Sequence, residues 1–310
     1  MSAVRRAQLP AQLWVIVAVA ISMLVACSGA HTRTKPPRTI APESVPPPAA
    51  RVAPSVTTPP GTTSVAVLMS NGVERSYRLH APPPVPPAGP APLVIVLHGA
   101  TGNAARVELR YHWDGLADRA GFFVVYPQGL LDQWNATPDP RAADDVRFLS
   151  ALIDRLAQTL PVDSGRVYVA GMSNGGSMTY RLGCALADRI AAIAAVEAAS
   201  SGCRPGRAVS LVAVHGLADR QVSFDSAQQS VAAWRDSDRC PRDPIATRAG
   251  LVTHSVWAPC TAGTSVELYA VGDGGHEWPG SSPPLSGHDP PSPALDATQA
   301  IWEFFRQHHL

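Results

Sequence analysis

From residue 64 onward apolar and polar positions follow two regular rhythms. "SVAVLM" and "RSYRLHA" alternate about "SNG" and predict an antiparallel hairpin. Beyond it the stretches 93–99 ("LVIVLHG"), 122–129 ("FFVVYPQG"), 166–171 ("RVYVAG"), 191–198 ("AAIAAVEA"), 210–216 ("SLVAVHG") and 266–275 ("VELYAVGDGG") predict further strands. Several are apolar without alternation, as strands covered on both faces should be. Between them, patterns with helical spacing predict helices around 103–119, 143–159, 174–187, 225–237 and 294–308. A hairpin followed by alternating strands and helices predicts one doubly wound, mainly parallel α/β domain over 64–310, without internal repeats.

The first 63 residues follow neither rhythm. Residues 1–12 carry two arginines and no acid, and 13–26 ("LWVIVAVAISMLVA") form an uninterrupted apolar run. That run is short for a bilayer span and suits the core of a signal peptide, predicted over 1–26. Its end, "LVAC", resembles a bacterial lipobox, which implies diacylation of Cys27 and a membrane partner reached through that lipid. Plain secretory cleavage and an uncleaved anchor remain the alternatives. Residues 27–63 are rich in Pro, Thr, Ala and Ser and poor in large apolar residues. They predict a disordered tether reaching on the order of 100 Å at about 3.1 Å per residue. The protein is thus expected outside the cell, lipid-anchored on the outer face of a bacterial membrane or secreted.

Composition narrows the partners. An apolar content of 45% supports a substantial core, and a net charge of +1 with 16% charged residues leaves no footprint for nucleic acid. Cysteines stand at 27, 184, 203, 240 and 260. With Cys27 lipidated, four remain. Of their three pairings, Cys184 with Cys203 and Cys240 with Cys260 close local loops that do not cross, and these two disulfides are expected.

The candidate chemistry centres on "VYVAGMSNGGSM" (167–178). A strand ending at Gly171 runs into G-x-S-x-G and then a helix, the context in which a strained turn lifts a serine above the sheet. Ser173 is the candidate nucleophile and needs a base, and the base an orienting acid, in the chain order Ser, acid, His. Asp219 stands just past the strand ending in His215. Asp225, its competitor, opens "DSAQ" and reads as a helix N-cap with Gln228 at the third position. Among the later histidines, His308 and His309 are terminal, His288 lies in a Pro-rich loop and His254 within a strand. His276 follows the last strand through "GDGG" and is the candidate base.

The N–H groups of Asn174 and of Ala100 in "LHGATGNA" are the candidate oxyanion donors, with Thr101 next after Ala100. His98 and His215, at matching places after two strands, are expected to bond loop backbones. Trp134 and Trp278 could serve to stack on a sugar or aromatic acyl group, or equally be buried packing. No metal motif and no need for a cofactor is seen.

"LHGATGNA", "GFFVVYPQG", "DDVRFLSALIDRLAQTLPVDSGRVYVAGMSNGGSM", "VHGLADRQVSF" and "GGHEWPG" together resemble the polyhydroxybutyrate depolymerase-like family of feruloyl and acetylxylan esterases. LpqC-type lipoprotein esterases are among its members. The resemblance spans about 65 to 310 and implies an α/β-hydrolase fold with Ser173, Asp219 and His276 as triad. It also implies the Cys240–Cys260 pair. Two departures stand out. An aromatic-rich segment survives only as "QWNA" (133–136), and the loop after His276 is lengthened by "SSPPLSGHDPPSP". The short connection between Glu197 and Ser210 leaves no room for a lid domain.

The expected function is hydrolysis of carboxylic esters, short-chain, acetyl or feruloyl, or polyhydroxyalkanoate-type, on glycan- or polymer-linked substrates. The alternatives are an acyltransferase using the same triad and a non-catalytic surface binding protein.

Overall fold

The computed structural model describes residues 58–84 and 89–310, so the expected signal peptide, the expected lipid site Cys27 and most of the stretch expected as a tether lie outside the described residues. The hairpin is formed by β1 (Thr62–Ser70) and β2 (Val73–Ala81). Ordered contacts begin before residue 64: the Thr58 hydroxyl meets that of Ser64, and the Gly61 N–H donates to Ala81. Next come β3 (Ala91–Leu97), α1 (Ala104–Tyr111), α2 (Trp113–Ala120) and β4 (Phe123–Pro127). They are followed by α3 (Asp145–Thr159), β5 (Val162–Met172), α4 (Asn174–Ala185), β6 (Ala192–Val196), β7 (Ser210–Gly216) and α5 (Phe224–Ser237). The chain ends with β8 (Ile245–Ala249), β9 (Val252–Trp257), β10 (Val266–Val271) and α6 (Ala297–Phe305).

Among the described residues these strands make one sheet in the order β1-β2-β4-β3-β5-β6-β7-β10-β9-β8. From β4 to β10 every pairing is parallel, and the hairpins at the two edges are antiparallel. Alternation within β3 divides the core. Leu93, Ile95 and Leu97 face a layer with Phe148 of α3, Met178 of α4 and Trp234 of α5. Val94 and Val96 face the other, with Val107, Trp113 and Phe305 of α1, α2 and α6. Burial of each such side chain contributes about 1.5–3 kcal/mol, which fixes the register of the central strands. The doubly wound sheet is an α/β-hydrolase fold, and no helix stands between β6 and β7.

Three local readings are corrected. The helix expected over 103–119 is two helices, because His112 takes a left-handed φ of 60° between them and turns Trp113 into the core. The β8–β9 hairpin escaped notice, apart from a strand around His254, because every residue of β8 is exposed and carries no core-facing rhythm. The cap of α5 is Ser223, whose hydroxyl accepts from the Ser226 N–H, and Asp225 lies inside the first turn. Both expected disulfides form: Cys184–Cys203 ties α4 to the segment after β6, and Cys240–Cys260 ties the end of α5 to the segment after β9.

Candidate active site

Parallel strands deliver their C-terminal ends to one edge of the sheet, where open α/β folds gather their ligand-binding loops. The ends of β3, β5, β7 and β10 there bring together His98–Ala100, Ser173, Asp219 and His276.

Ser173 stands between β5 and α4 with φ 54° and ψ −121°, a conformation that costs about 1–3 kcal/mol. Its glycine neighbours have steric work. A Cβ on Gly171 would strike the Gly175 carbonyl, and one on Gly175 would strike the backbone of Leu97 and His98. The turn therefore lies flat against β3 and aims Oγ outward.

His276 Nε2 lies 2.9 Å from the Ser173 Oγ, and Nδ1 lies 2.7 Å from Asp219 Oδ2. The other Asp219 oxygen accepts from the N–H groups of Gln221 and Val222 at 2.7 and 3.0 Å. Burial alone would push the Asp219 carboxyl up. The hydrogen bonds from His276, Val222, Glu197 and Gln221 outweigh it and hold the group below its ordinary range. His276 is placed from behind: its backbone N–H donates to Asp289 Oδ2 at 2.8 Å, and Gly275 leaves the space that Asp289 occupies.

The Asn174 N–H opens α4 and has no acceptor within the described residues. The Thr101 N–H is taken by the Asp132 carbonyl at 2.9 Å, which leaves Ala100 as the exposed amide of the β3 loop. His98 braces that loop by donating from Nδ1 to the Gly99 carbonyl and accepting the Gly129 N–H at Nε2. His215 donates from Nε2 to the Val222 carbonyl at 2.9 Å and so holds the Asp219 loop. Burial lowers both histidines, which keeps the rings neutral in these bracing roles.

The two tryptophans take the packing alternative. Trp134 is 4% exposed, and its indole N–H donates to the His98 carbonyl while its backbone bonds the Asn174 side chain. "QWNA" thus clamps the β3 loop to the elbow. Trp278 is fully buried against Tyr111, with its N–H on Thr298, so neither ring offers a face to substrate.

The lengthened loop does overhang the site. Arg110 donates to the Pro283 carbonyl and pairs with buried Glu277, and His112 meets the Ser282 hydroxyl. Leu285 and His288 then wall a cavity of about 60 Å³ shared with Ala100, Arg106, Tyr111 and Met172. A larger groove of about 790 Å³ lies at the opposite edge, between Gly121, Pro161 and Trp302.

Glu197, His215 and Asp219 bring three potential metal-ligating atoms within 4.8 Å. The donor set does not suit a cation: His215 Nε2 carries its proton toward Val222, and Asp219 is occupied by His276 and two amides. Two members of the site were missed in the sequence. Glu197 showed only as an acid closing an apolar strand, and Asp289 in a Pro-rich loop had no local signal.

Comparison with known proteins agrees with this architecture. Residues 75–234 match the family model described as esterase PHB depolymerase. The chain is 29% identical over 251 residues to feruloyl esterase C of Emericella nidulans, covering 76% of this chain and 87% of that one. It is 29% identical over 248 residues to the bifunctional acetylxylan esterase/xylanase XynS20E of Neocallimastix patriciarum. That match covers 76% of this chain but only 34% of the longer relative. The solved acetyl xylan esterase from Aspergillus awamori superposes with a TM-score of 0.60 at 15% identity, over 78% of this chain and 99% of that one, a likeness of fold. With a family match over half its length, the chain belongs to the esterase PHB depolymerase family, as a carboxylic ester hydrolase of α/β-hydrolase fold.

Proposed function

We propose that the protein is a serine esterase for short acyl groups, working through an acyl-enzyme on Ser173. The observation that carries this reading is the continuous chain that starts from Ser173 Oγ on its strained turn and runs through His276 to Asp219, at 2.9 and 2.7 Å.

Asp219 accepts the Nδ1–H and leaves Nε2 as the base facing the serine. His276 takes the Ser173 proton as Oγ attacks the ester carbonyl, and the Asn174 and Ala100 N–H groups receive the oxyanion. The imidazolium then protonates the departing alcohol. Water, deprotonated by His276, attacks the acyl-enzyme and releases the acid.

Two features support a short acyl group. The cavity beside Ala100, about 60 Å³, suits a chain of a few carbons, and the connection from β6 to β7 carries no helical lid. The names of the relatives point to acetyl and feruloyl esters of plant polysaccharide as classes to test. The two disulfides fit an extracellular protein, and the sequence of residues 1–27 supports a lipid anchor at Cys27 on the outer face of the membrane.

Hydrolysis of p-nitrophenyl acetate, butyrate and palmitate tests the reading. Acetate and butyrate should be turned over with kcat/KM at least about tenfold above palmitate, since each unaccommodated methylene removes on the order of 1 kcal/mol. A preference for palmitate overturns the short-acyl assignment. Metabolic labelling with palmitate, lost on Cys27→Ala, tests the anchor.

A further inference from the structure

Glu197 has no part in the mechanism above, yet it is placed as carefully as the serine. It follows β6 directly with a φ of 46°, outside the range in which a glutamate rests comfortably, and it is 0% exposed. Its own N–H donates to the Val214 carbonyl, and both its oxygens face the Gly216 N–H at 2.9 and 3.0 Å. The backbone is thus bent to turn a carboxyl inward, under the loop that carries Asp219.

The protons around it do not suffice for two carboxylates. Glu197 Oε2 and Asp219 Oδ2 both lie 3.5 Å from His215 Nε2, and the three groups sit within 4.8 Å of one another. The single proton on His215 Nε2 is directed at the Val222 carbonyl at 2.9 Å. Two buried like charges at this separation cannot both ionise. Asp219 Oδ1 is satisfied by two amides and Oδ2 by His276, so Asp219 is the member stabilised as the anion. Glu197 has one amide for two oxygens. Burial first, then its contact with Asp219 and the charges of Asp219 and Asp289, push its carboxyl well up against the opposing Gly216 N–H.

We propose that Glu197 is a positioning residue that stays a neutral carboxylic acid and donates its O–H to the Asp219 carboxylate, fixing that carboxylate behind His276. The bond holds the plane of Asp219 and, through it, the imidazole tautomer that leaves Nε2 facing Ser173. It also moderates the negative charge beside the imidazolium. His215 and Gly216 from β7, Asp219 and His276 from the loops above, and Asp289 from the overhanging loop are the polar and titratable groups facing this cluster.

The inference rests on the triad reading, so the experiment runs Glu197 variants of the full chain beside Ser173→Ala on p-nitrophenyl acetate. Glu197→Gln keeps a neutral donor and should retain kcat within about threefold, with the acid limb of kcat/KM unmoved. Glu197→Met keeps the volume without the donor. It should lose about 10–100-fold in kcat at little change in KM, the range of a hydrogen bond to a charged group, with the acid limb displaced upward. If Glu197 were ionised, Glu197→Gln would remove a charge near the imidazolium and move the acid limb down, which overturns the proposal. A folded Glu197→Met with unchanged kcat and acid limb leaves only a packing role and overturns it too. The infrared carbonyl stretch of a protonated carboxylic acid, present near neutral pH and absent from Glu197→Gln, is expected independently of activity. Its absence from the native protein overturns the proposal even where Glu197→Met fails to fold. Activity surviving in Ser173→Ala would instead sink the triad, a failure distinguishable from all of these.

Discussion

Ser173 and Glu197 directly follow neighbouring parallel strands, each at a positive φ, 54° and 46°, and each polar. The two turns are joined, since the Ser173 N–H donates to the Val196 carbonyl at 2.9 Å. Their surroundings differ. Ser173 is half-buried between residues flanked by glycines and opens a helix; Glu197 is sealed between Val196 and Ala198. The same backbone device therefore serves two ends. In one turn strain lifts a hydroxyl out to meet substrate, and in the next it turns a carboxyl in, beneath the group that orients the base. Strain of this kind is maintained only where the surrounding packing over-determines it.

The sharpest way to break the comparison is at the serine. Ser173→Ala should lower hydrolysis of p-nitrophenyl acetate by about 10⁴–10⁶-fold. Its thermal midpoint should stay at the native value or rise, because the strained turn is held by glycine contacts and by the backbone bond to Val196 rather than by the hydroxyl. Calorimetry beside the assay checks both halves. A variant that lost stability along with activity would make the hydroxyl part of the turn's architecture.

The next effect joins the two turns. Cys184 lies on the helix that follows Ser173 and Cys203 in the segment that follows Glu197, so their disulfide spans both. Replacing the pair by serine should cost about 3 kcal/mol, the loop-closure value for a ring of this size. Denaturant titration should show the midpoint falling. Short-ester turnover should be nearly unchanged at low temperature, because the hydrogen bonds of Ser173, Asp219 and His276 do not pass through the bridge.

The two turns also differed in how far the sequence exposed them. The elbow could be read because its constraints are local: glycines on both sides, an apolar strand before and a helix after. Asp219 and His276 could be read from chain order and from their places after strands. Glu197 could not, because its neighbours Gly216, His215 and Asp219 arrive from other segments, and an acid closing an apolar strand gives no sign of whether it points in or out. Trp134 and Trp278 were ambiguous for the same reason. An indole in a loop after a strand can face water or core, and only the His98 carbonyl and the Tyr111 ring decided the matter. The central strands were legible from two-sided burial. The break at His112 and the exposed β8 were not, since neither alters the apolar rhythm.

Asp238 supplies the smallest test and separates burial from function. Like Glu197 it is a buried carboxyl with too few donors: Oδ2 accepts from the Val209 N–H at 3.1 Å, and Oδ1 has no partner. Burial, opposed by the Val209 N–H and the charge of Arg207, pushes it from 3.8 up to about 6. It caps the end of α5 and bonds Val209 just before β7, at the strand ends opposite those that carry Ser173. A carboxyl raised on folding binds more protons folded than unfolded between those two values. Its contribution to stability is therefore complete below pH 3.8 and is lost as pH rises through about 6. Asp238→Asn should flatten that part of the pH dependence of the thermal midpoint and leave the pH profile of ester hydrolysis where it was. Glu197→Met is expected to do the reverse in kinetics, moving the acid limb. If Asp238→Asn shifted that limb as well, a buried acid anywhere in the domain would suffice to tune the base, and the turn after β6 would lose its claim to a special position behind Asp219.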